Sequence, residues 1–338
     1  MPNKQQWNTV KLRLTEVMEV MRRLNPITVE RVAEFWAFIK RSWKSIAIIL
    51  PIFLLLYYVI GSWATNNIDK TPVTEAAKPE NGLAVADSVA KLISREVDDH
   101  MWTPNLPIVF PGYVLDNMPQ FQRGIIKALK NTTVVLSRGY DSSELSKAAE
   151  LLKYPADVWL LSKDENLSLA PSSGAQYRKA RKALQRFNEQ KLEPRKSSDE
   201  NLLKLLALIN RDTGKIMNKL ETEVREHSTD WFDNAADNVF YNAQGQMYAY
   251  YVVLKAMAED FKPQILNADQ YENWTILTKT LEDGLALSPA IVRNGEADSV
   301  FAPNHLLILG GYAAKARYQI NLIITALQNS RLGNNHDN

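Results

Sequence analysis

The chain has 338 residues, 46% of them hydrophobic, and its 40 Lys and Arg nearly balance its 38 Asp and Glu, for a formal charge of +2. That balance argues against a polybasic nucleic-acid binder. The absence of cysteine excludes a disulfide framework, a thiol nucleophile and a thiolate metal site.

Residues 1–44 are basic, with Lys4, Lys11, Arg13, Arg22, Arg23, Arg31, Lys40, Arg41 and Lys44 against Glu16, Glu19, Glu30 and Glu34. Within them Trp7, Val10, Leu14, Val17, Met18 and Met21 recur at helical spacing. The spacing predicts an amphipathic helix over residues 5–24 that lies on a membrane surface or packs on a partner helix or a second copy. Asn25-Pro26 ends it, and Thr28 is expected to cap a second helix carrying Val29, Val32, Phe35, Trp36 and Ile39.

Ser45–Ala64 contains no charged residue. At about 1.5 Å rise per residue it makes a helix of about 30 Å, the thickness of a bilayer's hydrocarbon core. Pro51 is expected to kink it, and Trp43 and Trp63 sit where interfacial aromatics are expected. The basic side stays in the cytoplasm, so the reading is a single-pass membrane protein with its N-terminus in the cytoplasm and its large C-terminal part outside. Ser62-Trp63-Ala64 resembles a signal-peptidase site, but a basic head of residues 1–44 is too long for a signal peptide, whose apolar core spans about 7–15 residues.

Residues 65–82 are polar, with Pro72 and Pro79, and read as a tether. Beyond it, helices are expected at 83–101, 118–137, 142–153, 173–192, 198–227, 230–260, 270–283 and 303–330, with Ser197–Glu200 as a capping box. The fold class is therefore all-α, one transmembrane helix followed by an all-helical periplasmic domain over 83–330, with 331–338 as a disordered tail.

Several phrases are familiar as a set: Arg95–Pro107, Leu115–Gly124, Ala156–Trp159, Leu287–Gly295 and Pro303–Leu306. They resemble the bacterial family known as domain of unknown function 2333, over about residues 80–325. The resemblance implies a Gram-negative inner-membrane protein with a helical periplasmic domain, and it implies no activity, cofactor or catalytic residue.

The four histidines are scattered. His100 follows Glu96 by four residues and stands beside Asp98 and Asp99, a pattern that metal sites share with ordinary helix-surface pairs. Glu223 and His227 repeat the spacing near a helix end, His305 sits at a helix start beside a capping Asn304, and His336 lies in the tail. The acids Glu96, Asp98, Asp99 and Asp116 flank an aromatic and proline-rich loop with Trp102, Phe110 and Tyr113, which reads either as a sugar cleft or as an extended segment anchored on helices by Trp102, Ile108, Phe110, Tyr113, Leu115 and Met118. There is no Gly-x-Ser-x-Gly elbow and no phosphate-cradling glycine loop. The densest positive run, Arg178, Lys179, Arg181, Lys182 and Arg186, reads either as an anion- or partner-binding surface or as a solvated helix face.

The expected function is a membrane-anchored, non-enzymatic scaffold, adaptor or accessory subunit of a cell-envelope complex. Its partners would be the bilayer and an envelope protein or a second copy, with no nucleic acid, cofactor or metal. The basic helix and the loop at 102–119 are the expected contact surfaces. The alternative is a periplasmic enzyme or ligand-binding module on cell-wall material, with Glu96, His100 and Asp116 as its polar group.

Overall fold

The computed structural model describes residues 15–16, 19, 26–72, 79–160, 169–191, 194–226, 234–289, 292–294 and 304–336. The expected amphipathic helix at 5–24 and His227 therefore fall almost wholly outside the described residues. The chain divides into two units, residues 1–61 and 62–338.

The first unit is most of helix α1, Pro26–Thr65, which passes through Pro51 without ending there. It begins ahead of Thr28, so Thr28 is inside the helix and is not its cap. Its stretch Lys40–Thr65 is long and apolar enough to cross a membrane, and Ile48, Leu50, Phe53 and Leu55 are all exposed. A helix that keeps its apolar side chains outward has not found its burial partner within the protein.

The second unit is all-helical, with no strand among the described residues. It comprises α2 Ala84–Ser94, α3 Asn117–Gly139, α4 Ser143–Leu151, α5 Ser173–Asn188, α6 Ser198–Glu226, α7 Asn234–Asp260, α8 Lys262–Asn267, α9 Tyr271–Leu285 and α10 His305–His336. Helix α7 is the centre. From Val239 to Met257 it buries apolar residues on every side, including Phe240, Tyr248, Tyr250 and Met257, as an interior helix must. Around it pack α2, α3, α6, α9 and α10, while α4 and α5 cover the outer side of α2 and α3.

The α3–α7 crossing depends on two glycines. A Cβ on Gly245 would stand 2.1 Å from the Phe121 carbonyl oxygen, and one on Gly124 would stand 2.2 Å from that of Asn242. The two backbones therefore touch where neither helix has a side chain. A second long-range device caps α2: the Asp260 carboxylate accepts from the Ala84 and Val85 amides at 2.8 and 2.9 Å, placing a negative charge on the start of that helix. Local caps act at α4, where Ser142 Oγ accepts from Leu145 N, and at α6, where Ser197 Oγ accepts from Glu200 N.

Three departures from the sequence reading matter. First, α2 ends at Ser94 and continues as a π-turn, Arg95–Asp99, closed by Met101 at φ 62°. The wider turn leaves Arg95 and Glu96 where a regular helix would not place them. Second, residues 66–72 are docked and are not a tether. Ile68 packs on the core, Asn67 N donates to Met118 Sδ at 3.3 Å, and Lys70 Nζ donates to Leu287 O and Ser288 Oγ, both at 2.7 Å. A polar composition signalled solvent exposure, but these polar groups are satisfied by the domain. Third, α10 continues to His336, through most of the segment expected as a tail, and the short α8 has no counterpart in the expected set.

The α3–α7 contact predicts that Gly245→Ala lowers unfolding stability by about 1–3 kcal/mol or more, because backbone faces the new methyl. Gly311→Ala, where nothing lies within 4 Å, raises it by about 0.5–1 kcal/mol. Thermal melts of the two variants in the same detergent check the contrast.

Candidate functional site

Glu96 is 1% exposed, and its carboxylate is fully engaged. Oε1 accepts from Arg95 Nε and Nη2, both at 3.1 Å, and Oε2 accepts from Gln122 Nε2 at 3.3 Å. Gln122 also donates to the carbonyls of Glu96 and Met101 and accepts from Thr103 N and Oγ1. His100 Nδ1 stands 3.7 Å from Glu96 Oε1, too far for a hydrogen bond. Arg95 reaches onward to Asp69 O and Thr71 O, both at 3.0 Å, and to Asp69 Oδ2 at 3.4 Å, and its guanidinium lies 5.0 Å above the Tyr248 ring. Tyr248 Oη donates to Thr71 O at 2.7 Å.

The Asp69 carboxyl is held below its ordinary pKa: burial opposes this, but hydrogen bonds from Thr71 and the charge of Arg95 outweigh it. This cluster clasps residues 69–71 to the π-turn and to α7. Asp116 is elsewhere, before α3; burial raises its pKa and the charge of Arg123 opposes the rise. Among the described residues no contact joins it to Glu96 or His100, and no three His, Asp or Glu gather as a metal site. The three residues expected to act together thus do not form one polar group.

The basic helix is α5, and its arginines are consumed inside the domain. Arg178 Nε and Arg181 Nη1 share Asp98 at 2.5 and 2.6 Å, Arg181 also donates to Ser94 Oγ, and Arg186 donates to Glu144 at 2.7 Å. The hydrogen bond from Arg186 holds the Glu144 carboxyl below its ordinary pKa. Lys179 and Lys182 are exposed, and no ion pair holds them among the described residues. Three of the five expected anion-binding cations therefore fasten α5 to the π-turn and to α4.

A different basic surface lies along the α3–α6 seam. A cavity of about 460 Å³ is lined by Val135, Arg138 and Gly139 of α3, by Asn201, Lys204, Ala207, Leu208 and Arg211 of α6, and by Lys196 just before α6. Lys127, Lys130, Lys215 and Lys219 extend the positive face along the same two helices. Burial lowers the Lys127 pKa, the charges of Lys219, Lys130 and Lys215 lower it further, and Asp212 works against them. Among the described residues, Lys127, Lys130, Arg138, Lys204 and Lys219 make no ion pair. The seam was not legible from composition: its cations are spaced regularly along two helices distant in sequence, and only the α3–α6 packing brings them together.

Beneath the seam Asp212, 3% exposed, accepts from Tyr250 Oη at 2.6 Å, Asn131 Nδ2 at 2.7 Å and Arg211 Nε at 3.1 Å. Burial opposes its ionisation, and the hydrogen bonds of Tyr250, Asn131 and Arg211 reverse the balance, so its pKa falls below the ordinary value. Tyr250, buried beside that charge, has its pKa raised well above 10. His305 Nδ1 accepts from Arg293 N at 3.0 Å, and Asn304 Oδ1 caps α10 through Leu307 N, the packing and capping roles expected of the two.

The loop at 102–119 divides its aromatics. Trp102 and Met118 are buried, with Trp102 Nε1 donating to Ala156 O, whereas the side chains of Ile108 and Tyr113 are exposed.

Residues 196–329 match the family described as "Uncharacterized protein conserved in bacteria (DUF2333)". The match runs from the start of α6 into α10 and includes the phrases Leu287–Gly295 and Pro303–Leu306. Arg95–Pro107, Leu115–Gly124 and Ala156–Trp159 precede it. Neither a curated protein nor a solved structure matches the chain.

The Asp212 arrangement predicts a pH-dependent cost. A carboxyl with a lowered folded pKa contributes stability above about pH 4 and loses it as the pH falls through the folded value. Tyr250→Phe removes one donor and costs about 1–3 kcal/mol at pH 7. The deficit shrinks in melts near pH 3, and an equal deficit at both pH values refutes the role given to the charge.

Proposed function

We propose that the protein is a membrane-anchored, non-enzymatic adaptor of a bacterial cell-envelope complex, with its N-terminus in the cytoplasm and its helical domain in the periplasm. In this reading the α3–α6 seam holds an acidic face of a partner protein. The supporting observation is the contrast between two basic surfaces. The α5 arginines are neutralised by Asp98 and Glu144, while the seam cations converge on a cavity and repel one another at Lys127. Glu200 pairs with Lys196, and Asp212 with Arg211 and Lys215, so the positive excess rests on Lys127, Lys130, Arg138, Lys204 and Lys219. Such an excess favours an anionic partner, for which it adds on-rate and specificity.

The apolar face of Lys40–Thr65 supports the anchor, and the basic excess of residues 1–44 supports the orientation. The alternative, an enzyme or ligand-binding module on cell-wall material, has less support. Its polar group would need Glu96 free and beside Asp116, whereas Glu96 is engaged by Arg95 and Gln122.

A photo-crosslinking residue at Ala207, in the seam of the full-length protein in its native membrane, tests the proposal. The expected result is a discrete adduct heavier than the chain, weakened about tenfold by Lys204→Glu with Arg138→Glu and by raised salt. No adduct, or one indifferent to both changes, refutes the adaptor face.

A further inference from the structure

The loop between the π-turn and α3 carries no Asp, Glu, Lys or Arg from Met101 to Leu115, and it turns its apolar side chains outward. Ile108 is 64% exposed, Val109 63% and Val114 56%. Phe110 meets Trp159 edge-on at 6.2 Å, which joins this loop to three further exposed apolar residues, Trp159, Leu160 and Leu169, with Ala170 N donating to Leu160 O at 3.0 Å. The patch is prefolded: Asn105 Nδ2 donates to Val158 O at 2.7 Å, and Gly112 to Leu115 closes a 3₁₀ turn, Pro111–Val114. An ordered, uncharged, aromatic-containing surface of this kind marks a contact site.

Its place identifies the contact. Gly112 lies against the last turn of α1, where a Cβ would come to 3.0 Å from Thr65 Cγ2, and Trp63 in that turn is 81% exposed. A chain advances at most about 3.6 Å per residue, so Ile108 and Val114 lie within about 14 Å and 7 Å of Gly112. The headgroup layer on each side of a bilayer is about 5–7 Å deep, and Trp and Tyr concentrate there.

We infer that Ile108, Val109, Tyr113, Val114, Trp159 and Leu169 seat in the membrane interface beside the point where α1 leaves the bilayer. The inference rests on reading Lys40–Thr65 as a membrane span. It adds to that reading a second attachment of the domain to the leaflet.

The chain has no cysteine, so single labelling sites can be introduced cleanly. Val109→Cys, Leu169→Cys, Leu54→Cys and Lys279→Cys, each in the full chain, are labelled with an environment-sensitive fluorophore. They are reconstituted into phosphatidylcholine–phosphatidylglycerol vesicles carrying doxyl lipids. The labels at 109 and 169 are quenched by a doxyl group near the headgroup, the label at 54 by one deep in the chain, and the label at 279 by neither. Adding Val109→Glu abolishes quenching at 169 and leaves 54 unchanged.

If 54 is quenched while 109 and 169 behave like 279, the span stands and the interfacial seat is refuted. Self-quenching between labels at 109 on two copies, without lipid quenching, assigns the patch to dimerisation and also refutes it. An unquenched label at 54 refutes the span, and the inference with it.

Discussion

The guanidinium of Arg95 joins the segment that follows α1 to the core of the domain. Its donors reach the Asp69 and Thr71 carbonyls, the Asp69 carboxylate and the buried Glu96, and its flat face lies over Tyr248 of α7. A planar ion with donors at fixed angles can satisfy two carboxylates and two carbonyls at once, which a lysine cannot. Glu96 tolerates near-complete burial only because Arg95 and Gln122 occupy its oxygens. Both Arg95 and Glu96 belong to the π-turn, whose wider spacing sets where their side chains meet. Residues 66–72 are fastened to the domain in this way.

Charge placement in the rest of the domain follows the same physics with different outcomes. Asp98 and Glu144 consume the arginines of α5, Asp260 caps α2 from the end of α7, and Asp212 is ionised under a roof of Tyr250, Asn131 and Arg211. Each of these carboxylates joins two elements distant in sequence, so each is part of the fold's architecture. Positive charge without an ion pair among the described residues remains at Lys179 and Lys182 of α5 and, along the α3–α6 seam, at Lys127, Lys130, Arg138, Lys204 and Lys219.

The long apolar helix, the other helices and two caps were legible because each is written in local sequence. An uncharged run, a 3.6-residue period, Ser197 ahead of Leu202 and Leu203, and Asn304 before α10 require no knowledge of distant neighbours. The docked segment was not legible, because Asp69, Lys70 and Thr71 look like solvent-exposed residues until Arg95, Leu287 and Tyr248 are placed against them. For the same reason Glu96 resembled half of a metal or catalytic pair, and Asp116 resembled its partner. The loop at 102–119 was legible as a surface, but not in its division between buried Trp102 and exposed Ile108 and Tyr113. The α5 run stood out because its charges are consecutive, whereas the seam escaped notice because its charges are assembled only by packing.

Amide hydrogen exchange over residues 66–72 of the full-length protein tests the central claim most directly, by comparing the native chain with Arg95→Ala. The Arg95 clasp predicts slow exchange at Asn67 and Thr71, whose amides donate to Met118 Sδ and Asp69 Oδ1, and rapid exchange in the variant while α7 stays protected. Exchange at the rate of an open chain in the native protein would contradict it, and would return residues 66–72 to the role of a tether.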